Sequence, residues 1–296
     1  MTLESQPSAG GLGHVPEGEI RVRRAIDYSV REISDLFTRG FEGYFVPIHM
    51  TPEKLAWMIR ADSIDLAASR VLTLDGDAAG FILVSSRGWS RRVSAMGVVS
   101  GGRGHGLGRH LLLEILKDAT DGGYRKCWLE VLDRNVQAIR LYRHLGFREV
   151  RRLVGYQRAA QRAEQPSSDL LKQLDARELA KIVEYEAPPD LPWQLAAETV
   201  AAAGPPSVAL RLEDKAYCLV SELSEDAGTI QCLVVPHTLR RQGWGARLVR
   251  ALYWHYPRRA WRIPVRLPEN LAPEFFLETG FTPIPLTQFE MVRDLP

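Results

Sequence analysis

Cysteine is scarce in this chain: Cys127, Cys218 and Cys232 form no CxxC pair and no even set. That excludes a disulfide scaffold. Two of the three lie in apolar runs that read as strands, so buried, reduced thiols in a cytoplasmic protein are expected. Long hydrophobic runs are missing too, which excludes a membrane-spanning helix and a membrane partner. The first 19 residues, rich in Gly, Ser, Pro and Glu, lack the apolar core of a signal peptide and read as a flexible N-terminal tail. Net charge is nearly absent at +2, and no basic stripe interleaved with aromatics is visible. A nucleic-acid partner is therefore not expected.

What remains is ordinary globular composition, 45% hydrophobic and 25% charged, over 296 residues, a length suited to two domains. The near-neutral total hides a split. Residues 1–165 hold 24 basic and 19 acidic side chains, and the rest hold 14 and 17. One half is thereby suited to an anionic ligand.

Hydrophobic periodicity predicts a strand at 20–26, helices near 28–39 and 51–61, and an aromatic loop from Phe41 to Ile48. Two apolar runs around Asp75-Gly-Asp77 read as a hairpin. A strand from Val93 to Val99 leads into a glycine-rich loop, and a helix follows from Leu107 to about Ala119. Lys126 to Leu132 reads as a buried strand, and Val136 to Leu145 as a helix stopped at Gly146. Residues 159–169 are small and polar with a proline, which places a linker at 161–169.

The remainder repeats the first half. Val71-Leu-Thr-Leu-Asp-Gly-Asp77 lines up with Val208-Ala-Leu-Arg-Leu-Glu-Asp214. At the same offset, Arg103-Gly-His-Gly-Leu-Gly108 lines up with Arg240-Arg-Gln-Gly-Trp-Gly245. Leu145-Gly-Phe147 recurs as Thr279-Gly-Phe281 after the loss of a few residues. Three matches in order imply two copies of one domain, at 20–160 and 170–296.

The glycine-rich loop is the first chemical signal. Glycines let backbone N–H groups turn inward, and the helix behind adds unpaired donors and a partial positive charge, an arrangement that binds a pyrophosphate. Arg103 and Arg109 would reinforce it. The loop lacks the G-x-x-x-x-G-K-[ST] pattern of nucleoside triphosphate sites, and too many strands precede it for a dinucleotide fingerprint.

Downstream, Trp128-Leu-Glu-Val-Leu-Asp-Arg-Asn-Val-Gln-Ala-Ile-Arg-Leu-Tyr-Arg-His-Leu-Gly-Phe147 carries L-E-V-x-x-x-N-x-x-A-x-x-L-Y-x-x-x-G-F. With the loop, this resembles the GCN5-related N-acetyltransferase (GNAT) superfamily, in pattern its ribosomal-protein N-terminal alanine acetyltransferase branch. The resemblance covers about residues 20–160. It implies an α/β chain of two tandem GNAT domains. Each would be a central twisted mixed β-sheet flanked by helices, with a splayed pair of parallel strands.

The resemblance further implies acetyl-CoA as cosubstrate, no metal, and transfer of acetyl to a primary amine by direct attack. Met96, Gly97 and Val98 would meet the pantetheine and acetyl group, with the Val98 N–H as oxyanion donor. Gly104, His105, Gly106, Leu107, Gly108 and Arg109 would hold the pyrophosphate. His105 also reads as an ordinary loop residue. Asn135 would bond the cofactor arm, cap the next helix, or do both. Tyr142 would protonate the leaving thiolate. Glu130, a carboxylate inside an apolar strand, is the candidate base, or else a carboxylate that holds substrate without taking a proton. Arg143 would approach the 3′-phosphate or remain a solvated arginine. Tyr44 and Phe45 would wall the acceptor site or simply pack their loop.

The second copy departs from the pattern. Phe276 stands where Tyr142 stands, Pro264 or Val265 falls near the position of Glu130, and Pro273 is expected to interrupt the helix after Asn270. The front of this copy, around Ala187–Trp193, reads as shortened loop. It is expected to be a degenerate domain that completes the fold, caps the acceptor groove or dimerises. The acceptor is expected to be a small-molecule amine or a peptide N-terminus. The alternative is a non-catalytic acyl-CoA-binding or regulatory protein on a duplicated scaffold.

Overall fold

The computed structural model describes residues 18–160, 170–221, 224 and 226–296. Most of the tail and the linker at 161–169 lie outside the described residues. The first half runs β1 (Ile20–Arg24), α1 (Val30–Gly40), α2 (Pro52–Asp62), β2 (Arg70–Leu74), β3 (Asp77–Arg87), β4 (Ser90–Val98), α3 (Leu107–Asp121), β5 (Lys126–Leu132), α4 (Val136–His144) and β6 (Arg148–Arg158). The second continues β7 (Leu171–Leu174), α5 (Ala176–Glu186), α6 (Ala197–Ala201), β8 (Val208–Leu212), β9 (Ala216–Ser221), β10 (Ala227–Val234), α7 (Trp244–His255), β11 (Ala260–Pro268), α8 (Pro273–Glu278), β12 (Thr282–Pro283) and β13 (Gln288–Asp294).

Local chemistry explains the boundaries. Ser29 and Glu32 form a reciprocal capping box at the start of α1. Thr51 caps α2, with Pro52 in its first turn. Asp75 and Gly76 both take positive φ, as a two-residue β2–β3 turn requires. Pro273 does not break a helix. It opens α8 at the first position, where its missing N–H costs nothing, so the helix begins late.

All strands join one mixed sheet in the order β1-β2-β3-β4-β5-β13-β6-β11-β10-β9-β8-β7, with β12 beside β6. Among the described residues only β4–β5 and β10–β11 are parallel neighbours. α3 and α4 cover one face of the first half with a core of Leu111, Ile115, Leu129 and Met291, and α1 and α2 cover the other around Phe37, Leu55 and Phe81. The second half repeats the layering, with α7 and α8 on one face and α5 and α6 on the other. Among the described residues no helix is long and apolar enough to cross a membrane.

The halves are not separate along the sheet. β13 ends the second copy in chain order, yet it pairs antiparallel with β5 along its whole length. The distal part of β6 in turn pairs with β11 of the second half. Each copy thus completes its sheet with the other copy's last strand.

Candidate active site

Two parallel strands part in the first half. β4 and β5 stay in register only from Ser90–Lys126 to Val93–Leu129, although β4 runs on to Val98. The divergence coincides with a bulge. Leu83 pairs with Ala95 and Val84 with Val93, which leaves Ser94 as the extra residue. A bulge bends its strand and strengthens the local twist, so β4 turns away from β5 at that point.

Beyond the bulge, the hydrogen-bond pattern decides which peptide groups face the opening. Val99 donates its N–H to Ala79 O at 2.9 Å, which makes Gly80–Val98 a non-hydrogen-bonded pair. The N–H and C=O of Val98, and by alternation those of Met96, point away from β3 into the cleft. Gly97 lies between them. A Cβ there would come within 2.7 Å of the Phe81 ring, and one on Gly40 within 2.9 Å of the same ring. Glycine at both positions lets the end of α1 press against β4, which sets the 41–48 loop over the cleft.

The glycine-rich loop closes one end. Gly106 takes φ 77° as the N-cap of α3, and no side chain caps this helix. The N–H groups of Leu107, Gly108 and Arg109 therefore lack the side-chain acceptor that usually satisfies a first turn. A Cβ on Gly104 or Gly106 would meet nothing within 4 Å, so the loop is open to a ligand at both. His105 Nδ1 is buried without a hydrogen-bond partner. Arg103 differs from expectation: its guanidinium donates to Val98 O, Gly40 O and Glu42 O, bracing the loop against α1 rather than offering its charge to an anion. Arg143 is engaged as well, by Glu149.

Tyr142 on α4 is buried against Phe147. Burial, and then the nearby Tyr44 hydroxyl, push its phenol well above the usual range, so it stays protonated at neutral pH. Asn135 caps α4 through Oδ1 to the Ala138 N–H at 3.2 Å, and its side chain also meets Tyr44. Tyr44 packs edge-on against Phe41 and Phe45, while Phe45 itself is exposed. The sequence-derived candidates Tyr44, Asn135 and Tyr142 thus converge.

Glu130 faces away from Tyr142, on the α1–α2 side of the sheet. Both of its oxygens are held by the fully buried Arg92, at 3.0 Å from Nε and 2.7 Å from Nη2. Arg92 also reaches Asp62 Oδ2 at 3.3 Å and Ser94 Oγ at 3.1 Å. Burial opposes the arginine's charge, but Glu130 and Asp62 outweigh it and keep the guanidinium charged. Across the next strand Glu290 pairs directly with Glu130 and Arg151. Burial raises the Glu290 carboxyl to about 7 despite Arg151. Sequence reasoning missed Asp62, Arg92, Arg151 and Glu290. A signal existed for Arg92, since an arginine in a buried strand demands a counter-charge.

The second half keeps the scaffold without this chemistry. Arg240 Nε donates to Val235 O at 3.0 Å, Gly243 caps α7 at φ 82°, and Gln231 is skipped in the β9–β10 register as Ser94 is in β3–β4. Thr229 stands for Arg92, Pro264 for Glu130 and Phe276 for Tyr142. Phe276 stacks on Tyr156 at 4.7 Å.

Residues 30–147 match the Acetyltransferase (GNAT) family. A streptothricin acetyltransferase from Streptomyces lavendulae is 41% identical over 75 residues, which are 25% of this chain and 40% of the relative. The match therefore spans less than half the length of that curated relative. Among solved structures, a GCN5-related N-acetyltransferase from Sphaerobacter thermophilus superposes with a TM-score of 0.70 at 18% identity, covering 95% of this chain and 96% of that one. A tandem GNAT protein from the clavulanic acid biosynthesis pathway gives 0.64 at 16%, covering 93% and 98%. These likenesses extend the fold over both halves, and the chain carries, at residues 30–147, a domain of the GNAT acetyltransferase family.

Proposed function

We propose that the first half transfers acetyl from acetyl-CoA to the primary amine of a small cationic molecule. The observation that carries this reading is the cleft between β4 and β5. It has the Met96 peptide groups and the Val98 N–H turned away from β3 on one wall and the protonated Tyr142 on α4, which packs on the same face. In this reading the uncapped start of α3, with Gly104 to Arg109, holds the pyrophosphate. The Met96 and Val98 edges align the pantetheine arm, and the Val98 N–H stabilises the oxyanion as the amine attacks. Tyr142 gives its proton to the leaving sulfur.

A cationic acceptor follows from the face opposite Tyr142, where Asp62, Glu130, Glu290 and Asp190 outnumber Arg92 and Arg151. The streptothricin acetyltransferase that is similar to residues of this chain supports a small molecule over a peptide N-terminus. Glu130, with both oxygens on Arg92, serves as the carboxylate that holds the ammonium. The second half contributes the loop around Asp190 and Trp193, whose indole N–H donates to Asp62 O at 2.9 Å, and so caps the acceptor side.

A panel of amines assayed by thiol release tests this directly. Acetyl transfer to polyamines or amino-sugar antibiotics is expected, with Tyr142→Phe lowering kcat by about a hundredfold or more without weakening acetyl-CoA binding. Calorimetric binding of acetyl-CoA with turnover on no amine would favour the non-catalytic alternative.

A further inference from the structure

The Arg92-locked Glu130 leaves open which group takes the acceptor's proton. We propose that Glu290, carried by the second half's last strand, is the general base of the first half's site, receiving the proton of an ammonium that Glu130 holds beside it. This rests on the acetyl-transfer reading above.

Register supplies the geometry. Glu290 lies directly opposite Glu130 across β13 and β5, and directly opposite Arg151 across β13 and β6. Directly paired residues on one sheet face have Cβ atoms about 4.5–5.5 Å apart, so one ammonium can donate to both carboxylates. Like charges so placed repel each other, and they persist here with Arg92 on one flank and Arg151 on the other. Glu290 is 3% exposed, and Arg151 Nε lies 2.7 Å from its Oε2. That ion pair occupies one carboxylate oxygen, and Glu130 stands on the other side of the group. The charged groups around Glu290 are Glu130 on β5, Arg151 on β6 and Arg92 on β4, with Asp62 and Asp190 behind the two arginines. Burial sets its carboxyl at about 7, a value suited to accepting a proton at neutral pH.

The duplication provides an internal control. Where Glu130 and Glu290 face each other in the first half, the second half has Pro264 and, on β6 near the break in β11, Gly155. A Cβ at Gly155 would meet Ile263 O at 2.8 Å, so no carboxylate fits there. The acidic pair accompanies Tyr142 and is lost with it.

The chemistry balances. An ammonium N–H bond breaks, its electron pair stays on nitrogen, and the proton moves to the Glu290 carboxylate. That pair forms the C–N bond at the thioester carbonyl, the C–S bond breaks, and the sulfur takes the Tyr142 proton. The nitrogen's surplus proton returns to the Tyr142 oxygen, and Glu290 releases its own to solvent.

The test is the pH dependence of kcat/KM for the acceptor in the full chain. Wild type should rise through about pH 7, and Glu290→Gln should lose that rise and about a hundred- to ten-thousand-fold of rate, with acetyl-CoA affinity held. Glu290→Asp should recover part of the rate. Arg151→Met removes the nearest cation and should move the rise to higher pH, which keeps the test decisive should Glu290→Gln fail to fold. A Glu290→Gln enzyme with wild-type rate and profile, or an Arg151→Met profile that does not move, overturns the assignment while the acetyl-transfer reading stands. Wild-type protein that acetylates no amine overturns both.

Discussion

A guanidinium enclosed by protein is tolerated only where its charge is matched, and Arg92 meets Glu130 and Asp62 together. Replacing it with methionine strands two buried carboxylates, so Arg92→Met should destabilise the fold by about 3–5 kcal/mol in denaturant titration. Glu290 carries the opposite signature. Its carboxyl is raised from 4.5 to about 7 by burial, so the folded state prefers it protonated. The stability it contributes is complete below the unfolded value and is lost as pH rises through about 7. Wild type should therefore lose more thermal stability between pH 5 and pH 8 than Glu290→Gln does. Tyr142 and Asn135 stood out through the resemblance of N-x-x-A-x-x-L-Y to a family motif, which is local because Asn135 caps the short helix that carries Tyr142. Glu290 was not, because nothing near it in the chain announces that its neighbour will be Glu130.

Strands and helices followed the periodicity closely. The hairpin at Asp75–Gly76, the stop at Gly146 and the start of α3 after a run of glycines all arise from local backbone preference. Gly106 shows how local preference becomes a site. Its positive φ and missing side chain leave the first turn of α3 uncapped. Gly106→Ala should cost about 1–2 kcal/mol through the left-handed backbone, since a Cβ there meets no neighbour. Acetyl-CoA affinity measured by calorimetry should fall with it. The bulge at Ser94 escaped the sequence reading, because a register defect depends on the partner strand and leaves the apolar pattern of β4 intact. Arg103 was misjudged for a related reason. Beside a phosphate loop an arginine suggests charge, yet the end of α1 supplies carbonyls that claim it first.

Between the halves, the exchange of last strands makes each copy incomplete alone. Without β13, β5 and β6 would each expose an unpaired edge in the middle of the sheet. Truncation after Thr287 should accordingly yield aggregated protein by size-exclusion chromatography, whereas removal of the tail before residue 18 should leave a soluble species. The second half thus contributes to the first half's structure whatever its own chemistry. It supplies a strand, a carboxylate and the loop that holds Asp62 through Trp193.

Composition and local pattern, together with the family resemblance, pointed to the repeat, the order of elements, the glycine-rich loop and the tyrosine found in one copy and not the other. These depend on neighbours within a few residues, or on a repeat visible along the chain. The strand exchange, the capture of Glu130 by Arg92 and the meeting of Glu130 with Glu290 depend on which strand edges find each other. That choice is made by burial and edge pairing between separate segments of the chain, and no local preference encodes it.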